Sequence, residues 1–389
     1  MSRATLLGLF YCSIFIGTGA SLPYMPVWFR AHGLSGLQIG VILSAPMLAR
    51  VIIAPALAVW ADGFRLRRTP MILLGAACGV SYGLIGLVGG FGPWLVFWLA
   101  ASSFLSTIIP LSDVLTMRRA RTEGFNYGLP RGIGSTAFVV ANIGMGALIA
   151  RLGPDIVIPW ICAAGLSVAV AARFLLPPDP VHETGERPGR RDRWRGVSEL
   201  MRNRPFLLAV GSTALIQATH AFYYAFSALL WKAQGLSGTV VGLLWATGVA
   251  AEIGFMWFCE PWRRKLGPER LVILGGFAAL VRWTAFAFAP PVWLLFPLQT
   301  LHAFSFAAVF MGSLQLIERN APVHSASAAQ TISSAVSGGL IIGLATLASG
   351  RLYDVVGARG YLGMSVLALV GLIGAWRLAV AGRRERAAA

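Results

Sequence analysis

Apolar positions in this chain do not alternate with polar ones; they run in long blocks. About twelve blocks occur, near 5–29, 37–61, 70–90, 93–117, 131–151, 157–176, 205–231, 239–261, 270–289, 291–317, 329–350 and 360–381. A helix that crosses a bilayer needs roughly 20 predominantly apolar residues, and each block reaches that length. The weakest, 131–151, is rich in glycine. In hydrocarbon an open sheet would leave backbone N–H and C=O groups unpaired, so such runs are helices. The pattern predicts an all-α, polytopic membrane protein of twelve transmembrane helices, numbered here as spans 1 to 12.

The pattern breaks once. Residues 177–205, PPDPVHETGERPGRRDRWRGVSELMRNRP, are rich in proline, glycine and charge. They predict a cytoplasmic linker, with at most a short amphipathic helix around Val197–Arg202. The expected organisation is an N-terminal six-helix bundle over 1–176, a linker over 177–204 and a C-terminal six-helix bundle over 205–389. The halves also repeat: FRAHGLSGLQIG at 29–40 aligns with WKAQGLSGTVVG at 231–242, and ARLG at 150–153 with SGRLYDVVG at 349–357. Parallel six-helix repeats are an architecture of secondary transporters, with solute held between the repeats near mid-membrane.

Composition excludes a soluble protein: 57% of residues are hydrophobic and 12% charged, with mean hydropathy +0.71, against about 25% charged in soluble domains. The net charge of +17 would suggest nucleic acid in a soluble chain, but its placement says otherwise. With the N-terminus inside, the cytoplasmic segments hold 25 of the 32 Lys and Arg, and the opposite side holds five: Arg30, Arg151, Lys232, Arg351 and Arg359. That asymmetry orients both termini to the cytoplasm, in a bacterial-type inner membrane. Clusters such as RRDRWR at 190–195 read as topology signals and lipid contacts, with no nucleic-acid partner. Ala4 to Phe29 is too long for a signal-peptide core and reads as a retained span. Cys12, Cys78, Cys162 and Cys259 are scattered without metal or disulfide spacing, and no cofactor or metal is expected.

The remaining two arginines lie inside spans. Arg50 in span 2 falls 202 positions before Glu252 in span 8, at the same place after the GLSG turn. Arg282 in span 9, His220 in span 7 and His302 in span 10 sit at similar depth, while Asp113 late in span 4 and Arg131 opening span 5 lie toward the cytoplasm. A charge near mid-bilayer costs about 3 kcal/mol on insertion scales and survives by pairing or by facing a watery cavity. Arg50 and Glu252 are either a static pair or part of a solute route. Asp113 and Arg131 are either a helix-end gate or solute ligands, and the histidines are either interior packing or chemistry. Three unlike charges at one depth favour the route. A desolvated carboxylate beside arginine can switch protonation, which makes Glu252 the first proton-coupling candidate and His302 the second. Arginine forks suit a carboxylate, so Arg50 and Arg282 point to an anionic or hydroxyl-rich solute.

Tyr24 in span 1, Gln217 in span 7, and Phe222, Tyr223 and Tyr224 of HAFYYAF supply the aromatic and polar wall expected of a small-molecule site. Trp94, Trp160 and Trp293, near span ends, read as interface anchors. The glycine run GIGSTAFVVANIGMG at 132–146 predicts close helix packing, and Pro23, Pro26, Pro46, Pro55 and Pro110 predict kinked or unwound spans.

SDVLT at 112–116, YGLPRGIGS at 127–135, HAFYYAFSALLWKAQGLSGTVVGLLWATGVAAE at 220–252, LQTLHAFSF at 298–306 and GRLYDVVG at 350–357 together resemble the major facilitator superfamily. Within it they resemble the phenylpropionic acid transporter group and its lactose-permease-like relatives. The resemblance implies a cytoplasmic gate at WADGFRLRRTP, through Asp62, Arg65, Arg67 and Arg68. It implies substrate contacts at Asp113 and Arg131, and roles for Glu252, Arg282 and His302. Sugar symporters of this type carry a glutamate one turn after the histidine, where this chain has Ser305, and a span 5 tryptophan, where Phe138 is the nearest bulky residue.

The expected function is proton-coupled symport of a small organic solute, an aromatic carboxylate or a glycoside, by a monomer working by alternating access. Its substrate-binding residues are Tyr24, Arg50, Asp113, Arg131, Gln217, His220, Tyr223, Tyr224 and Arg282; its partners are the solute, protons and membrane lipids. A proton-driven exporter of drugs or metabolites is the alternative. A membrane enzyme or a sensor is a third class, and no nucleophile, metal set or cofactor loop supports it.

Overall fold

The computed structural model describes residues 1–180, 199–322 and 326–388. Among these every regular element is helical, apart from one isolated bridge between Leu66 and Pro180. Spans 1 to 10 are Arg3–Ala31, Gly36–Asp62, Arg68–Leu87, Phe91–Glu123, Gly128–Leu152, Pro154–Leu175, Arg204–Ala233, Gly238–Phe258, Pro268–Ala287 and Val292–Asn320. An eleventh apolar stretch, Ala328–Ala381, is 54 residues long, about 80 Å of helix against a hydrocarbon layer of about 30 Å. It makes two crossings. Gly357, at φ 55°, ends the helix Ile342–Val356, and a short 3-10 turn leads into Tyr361–Ala388. The expected twelve spans are thereby present.

The GLSG repeat is a repeat in three dimensions. Gly33 and Gly235 take φ of +86° and +85°, a conformation that favours glycine. The serine two residues on then caps the next helix: Ser35 forms a reciprocal box with Gln38, and Ser237 Oγ accepts from the Val240 N–H at 3.3 Å. Identical sequence thus starts spans 2 and 8 in the same way.

The chain divides into two compact units, Met1–Gly185 with Ala225–Leu243, and Glu186–Tyr224 with Leu244–Ala389. In the first, span 1 packs along span 5 and span 3 along span 6. These contacts are close because glycines stand at the crossings: a Cβ on Gly19 would lie 2.5 Å from Phe138 O, and one on Gly79 2.6 Å from Leu166 N. In the span 5 run Gly134 packs closely as expected, against the side chains of Tyr11 and Phe15, whereas Gly144 meets nothing. In the second unit span 9 packs on spans 10 and 12, and span 7 on span 12. There Gly275 meets Phe304 O and Gly371 meets Ser212 O. Such seams give van der Waals and backbone contact where lipid provides no hydrophobic drive.

Two expectations are corrected. Spans 1, 2 and 4 run as continuous helices through Pro23, Pro26, Pro46, Pro55 and Pro110, so none of these prolines unwinds its helix. The irregular segments lie elsewhere, at Thr219 and in the π-helical turns Ala303–Ala308 and Val336–Ile341. Trp94 and Trp160 are tied inside the protein. Trp94 is buried and donates to Val88 O at 2.9 Å, and Trp160 donates to Ile16 O at 3.1 Å. Of the three, Trp293, 69% exposed, alone has the exposure of an interface anchor. Most of the linker, its 190–195 cluster and Val197 of its expected helix lie outside the described residues. Beyond them Leu200 is buried with Phe206, Val210, Ile317 and Ala329.

Candidate functional site

In the second unit the polar residues of spans 7 to 10 converge on Arg282, which is fully buried. Its Nη1 lies 3.1 Å from His302 Nδ1 and 3.4 Å from Ser305 Oγ, and its Nη2 donates to Gln299 Oε1. Gln299 is itself fixed, its Nε2 donating to Tyr223 OH and to Leu244 O, each at 2.9 Å. On the far side of His302, Nε2 faces Glu252 Oε2 at 3.6 Å. A branch through Ser305 reaches His220 Nε2 at 3.3 Å, and His220 Nδ1 donates to Gln217 O at 3.0 Å.

Helix irregularity places both histidines. Span 7 breaks at Thr219, directly before His220, and span 10 passes into a π-helical turn directly after His302. Such turns re-aim side chains and recur at functional sites. Gly248 packs beside His302, whose ring atoms would lie at ordinary contact, 3.6 Å, from a Cβ there.

Aromatic faces enclose the guanidinium, whose Cζ lies 4.4 Å from the Trp283 ring, 4.8 Å from Tyr223 and 5.5 Å from Phe286. Tyr223 stacks on Trp245 at 4.5 Å, and the Tyr224 ring lies 5.6 Å from His220. Stacked rings hold a desolvated guanidinium through their π faces. Three buried polar atoms here have no hydrogen-bond partner among the described residues: Arg282 Nε, Trp245 Nε1 and Gln217 Oε1. Buried donors and acceptors are normally satisfied, so these three are where this cluster can still bond a polar group.

The first unit holds a second cluster. Asp113 Oδ1 accepts from Tyr11 OH at 2.5 Å and from Tyr127 OH at 2.9 Å, with Arg131 Nη1 at 3.7 Å. The Arg131 guanidinium lies over Phe15 and Tyr11, at 4.8 and 5.3 Å. Tyr127 lies in the turn between spans 4 and 5, where burial, with the Asp113 charge adding to it, pushes its phenol up to about 12. Tyr24 is buried and its hydroxyl donates to Asn142 O at 3.1 Å. Arg50 is half-buried midway along span 2.

At the expected gate, Asp62 ends span 2 and Arg65 is exposed, while Arg68 opens span 3. Arg67 reaches the start of the linker, its N–H donating to Asp179 O at 2.8 Å and its Nε to Pro180 O at 3.1 Å. Arg119, at the end of span 4, holds the Asp179 carboxylate.

The sequence reading missed Gln299, Trp245 and Trp283 at the Arg282 cluster of the second unit, and Arg119 with Asp179 in the first. Gln299 carried one usable signal, its place one turn before His302.

The chain matches the family model described as "MFS_1 like family" over residues 4–362. It is 30% identical to the maltose permease of Geobacillus stearothermophilus over 100% of this chain and 96% of that protein. To the probable 3-phenylpropionic acid transporter of Escherichia coli (strain K12) it is 27% identical, over 93% and 94% of the two chains. The crystal structure of nucleoside transporter NupG superposes with a TM-score of 0.84 at 15% identity, covering 97% and 99% of the chains, a likeness of fold alone. The chain belongs to the MFS_1 like family and is a multi-pass membrane transporter of the major facilitator superfamily, not an enzyme.

Proposed function

We propose that the chain is a proton-coupled symporter that imports a small organic anion, with an aromatic carboxylate as the favoured solute. The observation that carries this reading is Arg282. It is fully buried, and the side chains that hydrogen-bond to it, Gln299, His302 and Ser305, are neutral or carry no fixed negative charge. Its Nε remains open inside a wall of aromatic rings. A desolvated guanidinium is best stabilised by a carboxylate, and the rings suit an aromatic body next to it. The charge count agrees, with Arg50 and Arg282 against Glu252 at mid-span depth and Asp113 balanced by Arg131.

In this reading Tyr24, Arg50, Asp113, Arg131, Gln217, His220, Tyr223, Tyr224 and Arg282 bind solute, and Glu252 with His302 handles the proton. Bundles 1–176 and 205–389 rock about the site, joined by the 177–204 linker, with Asp62, Arg65, Arg67 and Arg68 at the cytoplasmic gate. The protein works as a monomer in a bacterial inner membrane, both termini cytoplasmic, in contact with anionic lipid. The name of the 3-phenylpropionic acid relative supports a carboxylate. That of the maltose permease favours a second reading, a glycoside.

The test is uptake of labelled phenylpropionate, maltose and uridine into oriented vesicles with and without an imposed pH gradient. Gradient-driven phenylpropionate uptake, lost in Arg282→Gln, is expected. Maltose uptake with phenylpropionate ignored removes the anion reading, and gradient-driven extrusion identifies an exporter.

A further inference from the structure

We infer that the exchanged proton resides on the Glu252 carboxyl, and that His302 is a positioning residue, held neutral with its Nε2–H presented to that carboxyl. This rests on the proton-coupled reading above and assigns the proton within it.

The argument starts from what a guanidinium can do. Arginine has five donors and no acceptor. With Arg282 Nη1 at 3.1 Å, His302 Nδ1 must be the acceptor. A neutral imidazole whose Nδ1 accepts carries its hydrogen on Nε2, and Nε2 faces Glu252 Oε2 at 3.6 Å. A second proton on Nδ1 would set N–H against N–H and break the contact with arginine. Arg282 has little freedom to yield, because Gln299 holds its Nη2 and the Trp283 and Tyr223 rings flank it.

The other branch closes in the same way. His220 Nδ1 donates to Gln217 O at 3.0 Å, so its Nε2 accepts from the Ser305 hydroxyl at 3.3 Å. The Ser305 oxygen is then left to accept from Arg282 at 3.4 Å. The hydrogens on both histidines are thereby assigned: one branch ends on the Gln217 carbonyl, and the other reaches the Glu252 carboxylate. The groups facing Glu252 include His302 from span 10 and Tyr224 from span 7, with Arg282 of span 9 behind the histidine. The transfer is simple: a proton adds to a Glu252 oxygen to give the neutral acid and later leaves the same oxygen, while the His302 N–H bond stays intact.

Two spectroscopic readouts test this on purified protein without requiring transport. In histidine-15N-labelled protein, the His302 signal, identified by its loss in His302→Gln, should keep the neutral Nε2–H pattern from about pH 5 to about pH 8, where free imidazole changes charge. Over some part of that range a protonated-carboxyl infrared band should titrate and be absent in Glu252→Gln. Any charging of His302 in the range, or a titrating carboxyl band that survives Glu252→Gln, overturns the assignment. In vesicles, His302→Ala should lose gradient-driven accumulation. His302→Gln, whose amide offers an acceptor and a donor in comparable directions, should restore it with an unshifted pH profile, and no restoration counts against the positioning role. If wild-type protein shows no gradient-driven uptake, the symport reading fails while the spectra still locate the proton.

Discussion

The Arg119 guanidinium at the end of span 4 holds the Asp179 carboxylate with two N–H groups, Nε at 2.8 Å and Nη2 beside it. Asp179 is 3% exposed and lies four residues past the end of span 6, so this pair pins the first residues of the linker onto the first unit. The isolated Leu66–Pro180 bridge and the Arg67 backbone bond to Asp179 O add to the same clasp.

The two partners are unequal, which gives an asymmetric prediction. Arg119 is 27% exposed and also bonds Glu123, so it reaches water and a second carboxylate when Asp179 is lost. Asp179, 3% exposed, has neither escape among the described residues. Arg119→Ala should therefore destabilise by about 3 kcal/mol, the cost of leaving a buried charge unpaired, and Asp179→Asn by about 1 kcal/mol. Thermal unfolding in detergent checks the order, and equal losses would contradict it.

In the first unit, a Cβ on Gly146 would lie 2.1 Å from Gly238 O, and one on Gly238 would lie 2.2 Å from Gly146 O. Gly144, two residues away on the same helix, faces open space. Backbone cannot move aside as a flexible side chain can, so Gly146→Ala should cost about 1–3 kcal/mol through overpacking. Gly144→Ala should be neutral or slightly stabilising. Unfolding midpoints of the two variants, measured side by side, should differ by several degrees.

The Tyr127 phenol donates to Asp113 only while protonated. Its folded value of about 12 lies above that of a free tyrosine, about 10. The stabilisation is therefore fully present below about pH 10 and disappears as pH rises through about 12. Subtracting the ultraviolet titration of Tyr127→Phe from that of wild type should isolate a phenolate that forms well after free tyrosine does.

Much of this architecture was legible because lipid imposes simple rules. Span length, the GLSG turns and the depth of Arg282, Glu252 and His302 follow from hydropathy and spacing, and the structure brings these three residues together in one unit. Gln299, Trp245 and Trp283 were not legible in the same way. A neutral amide or an indole in a span has no charge to betray it and looks the same whether it faces lipid, packing or solute. Arg119 and Asp179 are 60 residues apart, and nothing local in either stretch names the other. The expectation of unwound spans at the prolines fails because a helix loses one hydrogen bond at proline, which need not unwind it. The π-turn after His302 arises without proline at that position.

Gln299 offers the sharpest separation of the anion reading from its rivals. It bonds Arg282 through Oε1 and is fully buried, so Gln299→Glu would place an ionised carboxylate on the guanidinium with almost no change in volume. A buried pair with bidentate potential stabilises where an unpaired arginine does not. The gain is offset by the lost Nε2–H donation to Leu244 O, so the unfolding temperature should change little. The same carboxylate would occupy the charge that an anionic solute must meet, so phenylpropionate binding should fall by tenfold or more, about 1.4 kcal/mol. A neutral sugar draws no such benefit from the free charge, and its binding would change far less. Calorimetric titration of both solutes against wild type and Gln299→Glu reads the difference directly: loss of the anion alone supports Arg282 as its anchor, and equal loss of both places the solute elsewhere.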